Sequence, residues 1–155
     1  MRPSTIRYFE SYAADHRHPL NRLTHKIAIP VIVFHVLAML AAVPVGTVGG
    51  VNVTLGLVGW AGASAFWLAL LPRSGMLLAL ASLPAALWGG EVAMSALVVL
   101  AVVGWTIQLA GHVVWEKNRP SFPKNLGQAL VGPLFFVAAL LGELPRSKAT
   151  AAPET

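Results

Sequence analysis

From Ile27 to Trp115 the chain carries only two charged side chains, Arg73 and Glu91. A water-facing surface cannot be built from such a stretch. Overall 11% of the 155 residues are charged and 56% are hydrophobic, against about 25% charged in an ordinary soluble domain. Turn residues divide the apolar sequence into five runs: Ile27–Val45, Val53–Leu71, Met76–Trp88, Val92–Trp115 and Leu126–Leu144. A helix needs roughly 20 residues to cross a bilayer. The runs therefore predict an all-α polytopic membrane bundle of four to five transmembrane helices, forming one domain over residues 1–145. The small, polar tail 146–155 is expected to be disordered.

Residues 1–26 are polar and of mixed charge, unlike a cleaved leader. Ile6, Tyr8, Phe9 and Tyr12 give them an irregular apolar face, which predicts a helix lying at the membrane interface. His18-Pro19 is a break, because proline disfavours helix in the residue before it and suits the first turn of a new one. Pro44-Val-Gly-Thr-Val-Gly-Gly reads as an uncharged turn.

Basic residues flank the runs rather than forming a stripe, so the formal net charge of +5 points to topology signals and lipid headgroups, not nucleic acid. Arg2, Arg7, Arg17, Arg22 and Lys26 precede the first run, Arg73 follows the second, and Lys117, Arg119 and Lys124 follow the fourth. The other two connections have none. Five passes with a cytoplasmic N-terminus satisfy this pattern, and the Ala- and Gly-rich composition suits a bacterial inner membrane. Homo-oligomerisation stays open.

Two polar islands then share the cytoplasmic face. Tyr12–Pro30 holds His16, His18 and His25; Gln108–Lys124 holds His112. Cysteine is absent, so a metal must take His, carboxylate, amide or backbone ligands. Gln108, His112 and Glu116 recur every four residues and line one helix face. Gly111 lets another helix or a ligand approach, and Asn21, one turn before His25, is placed to orient it. A metal site and a set of ordinary interfacial histidines are about equally expected from these residues alone. His35, inside the first run, reads as a packed histidine bonded to a carbonyl of a neighbouring helix. No serine has a base at helical spacing.

HR-x-P-x-NR-x-x-H before an apolar run with an early proline, then Q-x-x-GH-x-x-x-EKNRP and a late ALVGPLFF, resembles the Mpo1-like family over about Tyr12 to Glu143. The resemblance implies an iron(II)-dependent dioxygenase acting on 2-hydroxy fatty acids, which α-oxidation shortens by one carbon with loss of carbon dioxide. It implies His16, His25 and His112 as iron ligands. Asn21, Gln108 and Glu116 become supporting or substrate-contacting residues, and His18, where the family pattern has another polar residue, an additional candidate ligand. Arg22, Lys117 and Arg119 are candidates to attract the substrate carboxylate, with the acyl chain among the apolar helices. The rival expectations are a non-enzymatic lipid-binding or scaffold protein and a b-type haem protein using two of the histidines.

Overall fold

The computed structural model describes residues 1–117 and 126–144; the 146–155 tail and Arg119 lie outside them. Among the described residues six α-helices follow one another: α1 (Pro3–Ala14), α2 (Pro19–Ala41), α3 (Leu55–Leu70), α4 (Pro72–Trp88), α5 (Met94–Ala110) and α6 (Leu126–Leu140). A π-helical turn, Gly111–Glu116, extends α5.

The helix boundaries follow local chemistry. α1, α2 and α4 each begin with proline in the first turn, where its missing N–H costs nothing. His18 caps α2 through its ring, which accepts from the Leu20 N–H at 3.2 Å, and Thr54 caps α3 by accepting from the Leu57 N–H at 3.3 Å. Pro30 lies inside α2 without ending it.

Small residues set the packing of α2 to α5. Gly56 lies against Ala41, Gly75 against the Trp67 backbone, Gly89 against Ala38, and Gly104 against Val31 and Ile32. Consecutive helices therefore run antiparallel, and α5 returns alongside α2, ending where α2 begins. Removing Cβ at these crossings lets the backbones approach, the usual device where helices pack without polar contacts. α1 and α6 close one end of this four-helix array. The Phe9 and Phe135 rings meet edge to face at 5.5 Å, and Tyr12 lies 5.0 Å from Phe135. The Trp67 indole donates to the Leu130 carbonyl at 2.9 Å, and Thr5 donates to the Leu70 carbonyl at 3.1 Å. Burying each such aromatic contributes about 2–3 kcal/mol. Phe9 and Tyr12 of α1 are thus packed inside the protein with Ile6 and Tyr8 half-buried, contacts that the expected interfacial helix did not include.

Two further expectations change. The stretch read as a turn is an antiparallel hairpin, Pro44–Val48 (β1) with Val51–Thr54 (β2). Its two-residue loop, Gly49-Gly50, takes positive φ at both positions, as the tightest hairpin connection requires. The structure is thus mostly but not purely helical. Two helices, Pro19–Ala41 and Met94–Glu116 at 23 residues each, are long and apolar enough to cross a membrane. With 16, 17 and 15 residues, α3, α4 and α6 fall short of the roughly 20 that a full crossing takes. Of the expected four to five spans, two qualify by length and composition among the described residues. Those two point to membrane association, as does the exposed row Val98, Val99, Val102 and Val103 on α5, since soluble monomers rarely show large contiguous apolar patches.

Candidate metal centre

Three buried histidines from separate elements converge beneath α1 and α6. His16 sits two residues beyond α1, His25 in the second turn of α2, and His112 in the π-helical turn after α5. One ligand atom from each lies within 4.8 Å of the others, and the ring centroids are 4.6 to 4.9 Å apart. His25 is fully buried.

The chain fixes which nitrogens face inward. His16 Nδ1 lies 2.7 Å from the Tyr12 carbonyl and His25 Nδ1 lies 2.8 Å from the Asn21 carbonyl. A carbonyl only accepts, so each Nδ1 carries the proton and donates, leaving the Nε2 lone pair free. This is the usual outer support of a metal-binding histidine. The Tyr12 ring stacks on His16 at 4.0 Å and an interplanar angle of 13°, which fixes its plane. Burial pushes the His16 pKa below the ordinary histidine value, outweighing the Tyr12 carbonyl, Asp15 and Glu116, which act the other way. Its neutral form, the one that ligates, is favoured.

A metal ion fits this donor set. The Nε2 atoms of His25 and His112 are 3.1 Å apart. Two nitrogens each about 2.1 Å from one ion would be separated by about 3.0 Å at a right angle and about 4.2 Å on opposite sides. The spacing matches adjacent ligands and excludes this pair from gripping a haem iron from its two faces. Three neutral imidazoles leave positions on a divalent ion open for other ligands.

The remaining sequence candidates divide into two groups. Glu116 joins the islands: its Oε1 accepts from the His18 backbone N–H at 2.7 Å and from the Asn21 side-chain amide at 3.1 Å. Asn21 also orients His25, through its backbone carbonyl. Gly111 lies so close to the Asn21 and Thr24 side chains that a Cβ there would overlap them. Gln108 faces a chamber of about 70 Å³ beside the triad, together with Tyr12, His16, His112 and Gln128. The Tyr12 hydroxyl and Gln108 Oε1 are buried without a hydrogen-bond partner, as is His112 Nδ1. Buried polar atoms of this kind call for a ligand or ordered water.

The second group stands apart from the triad. His18 serves as the α2 cap, its ring parallel to Trp115 at 6.5 Å. Arg22 and Lys117 are exposed; Lys117 ends the π-helical turn in the left-handed conformation. His35 donates to the Val31 carbonyl of its own helix at 3.0 Å, not to a neighbouring helix.

Sequence reasoning missed Tyr12, Gln128 and Lys26 as neighbours of the site. Tyr12 was visible as the residue one helical turn before His16. Lys26 was not, because its significance comes from a groove of about 540 Å³ walled by α2, α4 and α6, with His25 and Lys26 among its lining residues.

An apolar helical bundle in which three buried histidines converge, two of them anchored by backbone carbonyls, defines a helical protein with a candidate metal centre and two helices long enough to cross a membrane. The profile described as "2-hydroxy-palmitic acid dioxygenase Mpo1-like" matches residues 3–144, and the chain belongs to the Mpo1-like family. It is 33% identical over 147 residues to the 2-hydroxy-palmitic acid dioxygenase MPO1 of Saccharomyces cerevisiae, covering 90% of this chain and 82% of that protein. No solved structure matches.

Proposed function

We propose that this chain is an iron(II)-dependent dioxygenase that shortens 2-hydroxy fatty acids by one carbon. The observation that carries the reading is the convergence of His16, His25 and His112 within 4.8 Å in a chain related to a 2-hydroxy-palmitic acid dioxygenase. The overall change balances: a 2-hydroxy acid and dioxygen give an acid one carbon shorter, carbon dioxide and water. Bound iron(II) would supply the Lewis-acid and redox chemistry for cleaving the bond between carbons one and two.

The chain's own residues prepare that reaction. His16 and His25 keep their protons on Nδ1 and offer Nε2. Asn21 and Glu116 hold the two islands in register. Tyr12 and Gln108 turn otherwise unpartnered polar atoms toward the chamber on the other side of the triad, where they hydrogen-bond ordered water or small ligands held at the centre. Arg22 and Lys117, exposed at the same end, draw the anionic substrate in, a part also assigned to Arg119. The reading places the two long helices across a bacterial inner membrane with the N-terminus, and so the triad, on the cytoplasmic side. The substrate then comes from the lipid and dioxygen from either phase.

The test is metal content of the purified protein beside His25→Ala and His112→Ala, followed by turnover of 2-hydroxypalmitate. About one iron per chain, lost in both variants together with carbon dioxide release, is the expected result. Zinc in place of iron would overturn the redox chemistry, and absence of metal after anaerobic iron loading would leave a lipid-binding protein.

A further inference from the structure

The groove between α2, α4 and α6 has a direction. His25, Lys26 and Leu78 line it, as do Phe34 and Ala85. Gly89 abuts Ala38, so α2 and α4 converge just beyond Phe34 and Ala85 and close that end. His25 and Phe34 are nine residues apart on one helix, which sets a groove length of about 13 Å. The near end has the buried imidazole of His25, whose Nε2 belongs to the triad, and the cation of Lys26, which is exposed. Otherwise the lining is apolar except for Ser82, and the Ser82 hydroxyl is already committed to the Leu78 carbonyl at 2.8 Å. One wall, at Leu140, is 80% exposed, leaving a lateral opening on the side that lipid would cover.

Resting on the dioxygenase reading above, we propose that this groove is the acyl-chain site. A single unbranched chain enters sideways with its carboxylate end at Lys26 and its first carbons beside His25, and the methyl end runs toward Phe34 and Ala85. The chemistry selects this occupant. A cation beside a metal-ligating imidazole suits a carboxylate, and a volume of about 540 Å³ is that of a small-molecule site. With about 540 Å³ and an almost wholly apolar lining, the groove leaves no place for the headgroup of a phospholipid. A groove of about 13 Å encloses roughly ten carbons, so the convergence of α2 and α4 ends the enclosed part of the chain, a longer chain leaves through the lateral opening, and Lys26 is a substrate-binding residue.

Ala81 and Ala139 are exposed and line the groove from α4 and α6. Replacing either by phenylalanine fills the groove without disturbing a buried position. The experiment measures binding of 2-hydroxyoctanoate, 2-hydroxypalmitate and plain palmitate to wild type, Ala81→Phe, Ala139→Phe and Lys26→Gln, with metal content as a control. Ala81→Phe and Ala139→Phe should weaken 2-hydroxypalmitate relative to 2-hydroxyoctanoate by about tenfold for every two methylenes excluded, at unchanged metal content. Lys26→Gln should weaken all three acids alike and leave the length preference intact. A length profile unaffected by both alanine replacements overturns the proposal, as does a Lys26→Gln variant that binds every acid like wild type. Graded binding of plain palmitate without turnover of any 2-hydroxy acid would keep the groove and sink the dioxygenase reading. Turnover with length-independent binding would do the reverse.

Discussion

Asn21 holds Glu116 with its side chain and His25 with its backbone. The amide donates to Glu116 Oε1 at 3.1 Å, and the carbonyl accepts the His25 Nδ1 proton at 2.8 Å. One fully buried residue therefore couples the end of the π-helical turn to the orientation of a candidate ligand on another helix.

Asn21→Ala keeps the carbonyl and removes the amide. It should cost about 1–3 kcal/mol of stability and lower metal affinity. Glu116→Ala removes the same bond and also the one from the His18 N–H, so it should cost more, and the double variant should cost less than the sum of the two because the Asn21–Glu116 bond is counted in both. Unfolding midpoints and metal titrations of the four proteins check this; additive losses would show that the pair is not coupled.

Gly111→Ala should be worse for the centre than for the fold. A methyl group there would overlap the Asn21 amide oxygen and the Thr24 hydroxyl, so either these side chains give up their bonds to Glu116 and the Asn21 carbonyl or the turn moves away from α2 and carries His112 from His25. We expect at least about a tenfold loss of metal affinity, equal to about 1.4 kcal/mol, with helical content by circular dichroism close to wild type. Normal metal binding would show that the two segments can part without displacing the imidazole.

Acid should destabilise the metal-free protein through His16. Burial lowers its folded pKa below the ordinary value of 6.5, so the unfolded chain binds the proton more readily. Stability is then greatest above about pH 6.5 and falls as the pH drops toward the lowered folded value. His16→Gln should flatten that part of the profile, read as unfolding midpoint against pH. An equally steep variant would shift the effect to other groups.

Much of the candidate centre was legible because its histidines sit in short polar islands of an otherwise apolar sequence. Their being brought together depends on α5 returning beside α2, which the charge pattern of the connections already implied. The hairpin escaped notice although Val-x-Thr-Val and Val-x-Val-Thr flank Gly49-Gly50, because its few residues were weighed only as a connection between spans. The two orders of depth were also unreadable: nothing in Ile6, Tyr8, Phe9 and Tyr12 distinguishes a face on lipid from one on α6. Lys26 looked like one more topology charge, since a groove made by residues from three distant helices leaves no local pattern.

The π-helical turn at Gly111–Glu116 carries one more residue per hydrogen-bonded loop than an α-helix. Gln108 must reach the chamber, His112 the triad and Glu116 the start of α2, so the spacing of these three is counted against fixed partners on neighbouring segments. Deleting Val113 or Val114, both exposed, would remove no contact to the centre. It would let the turn relax to ordinary helix and swing everything after it by about a quarter of a turn. In this stretch the number of residues carries information that their identity does not.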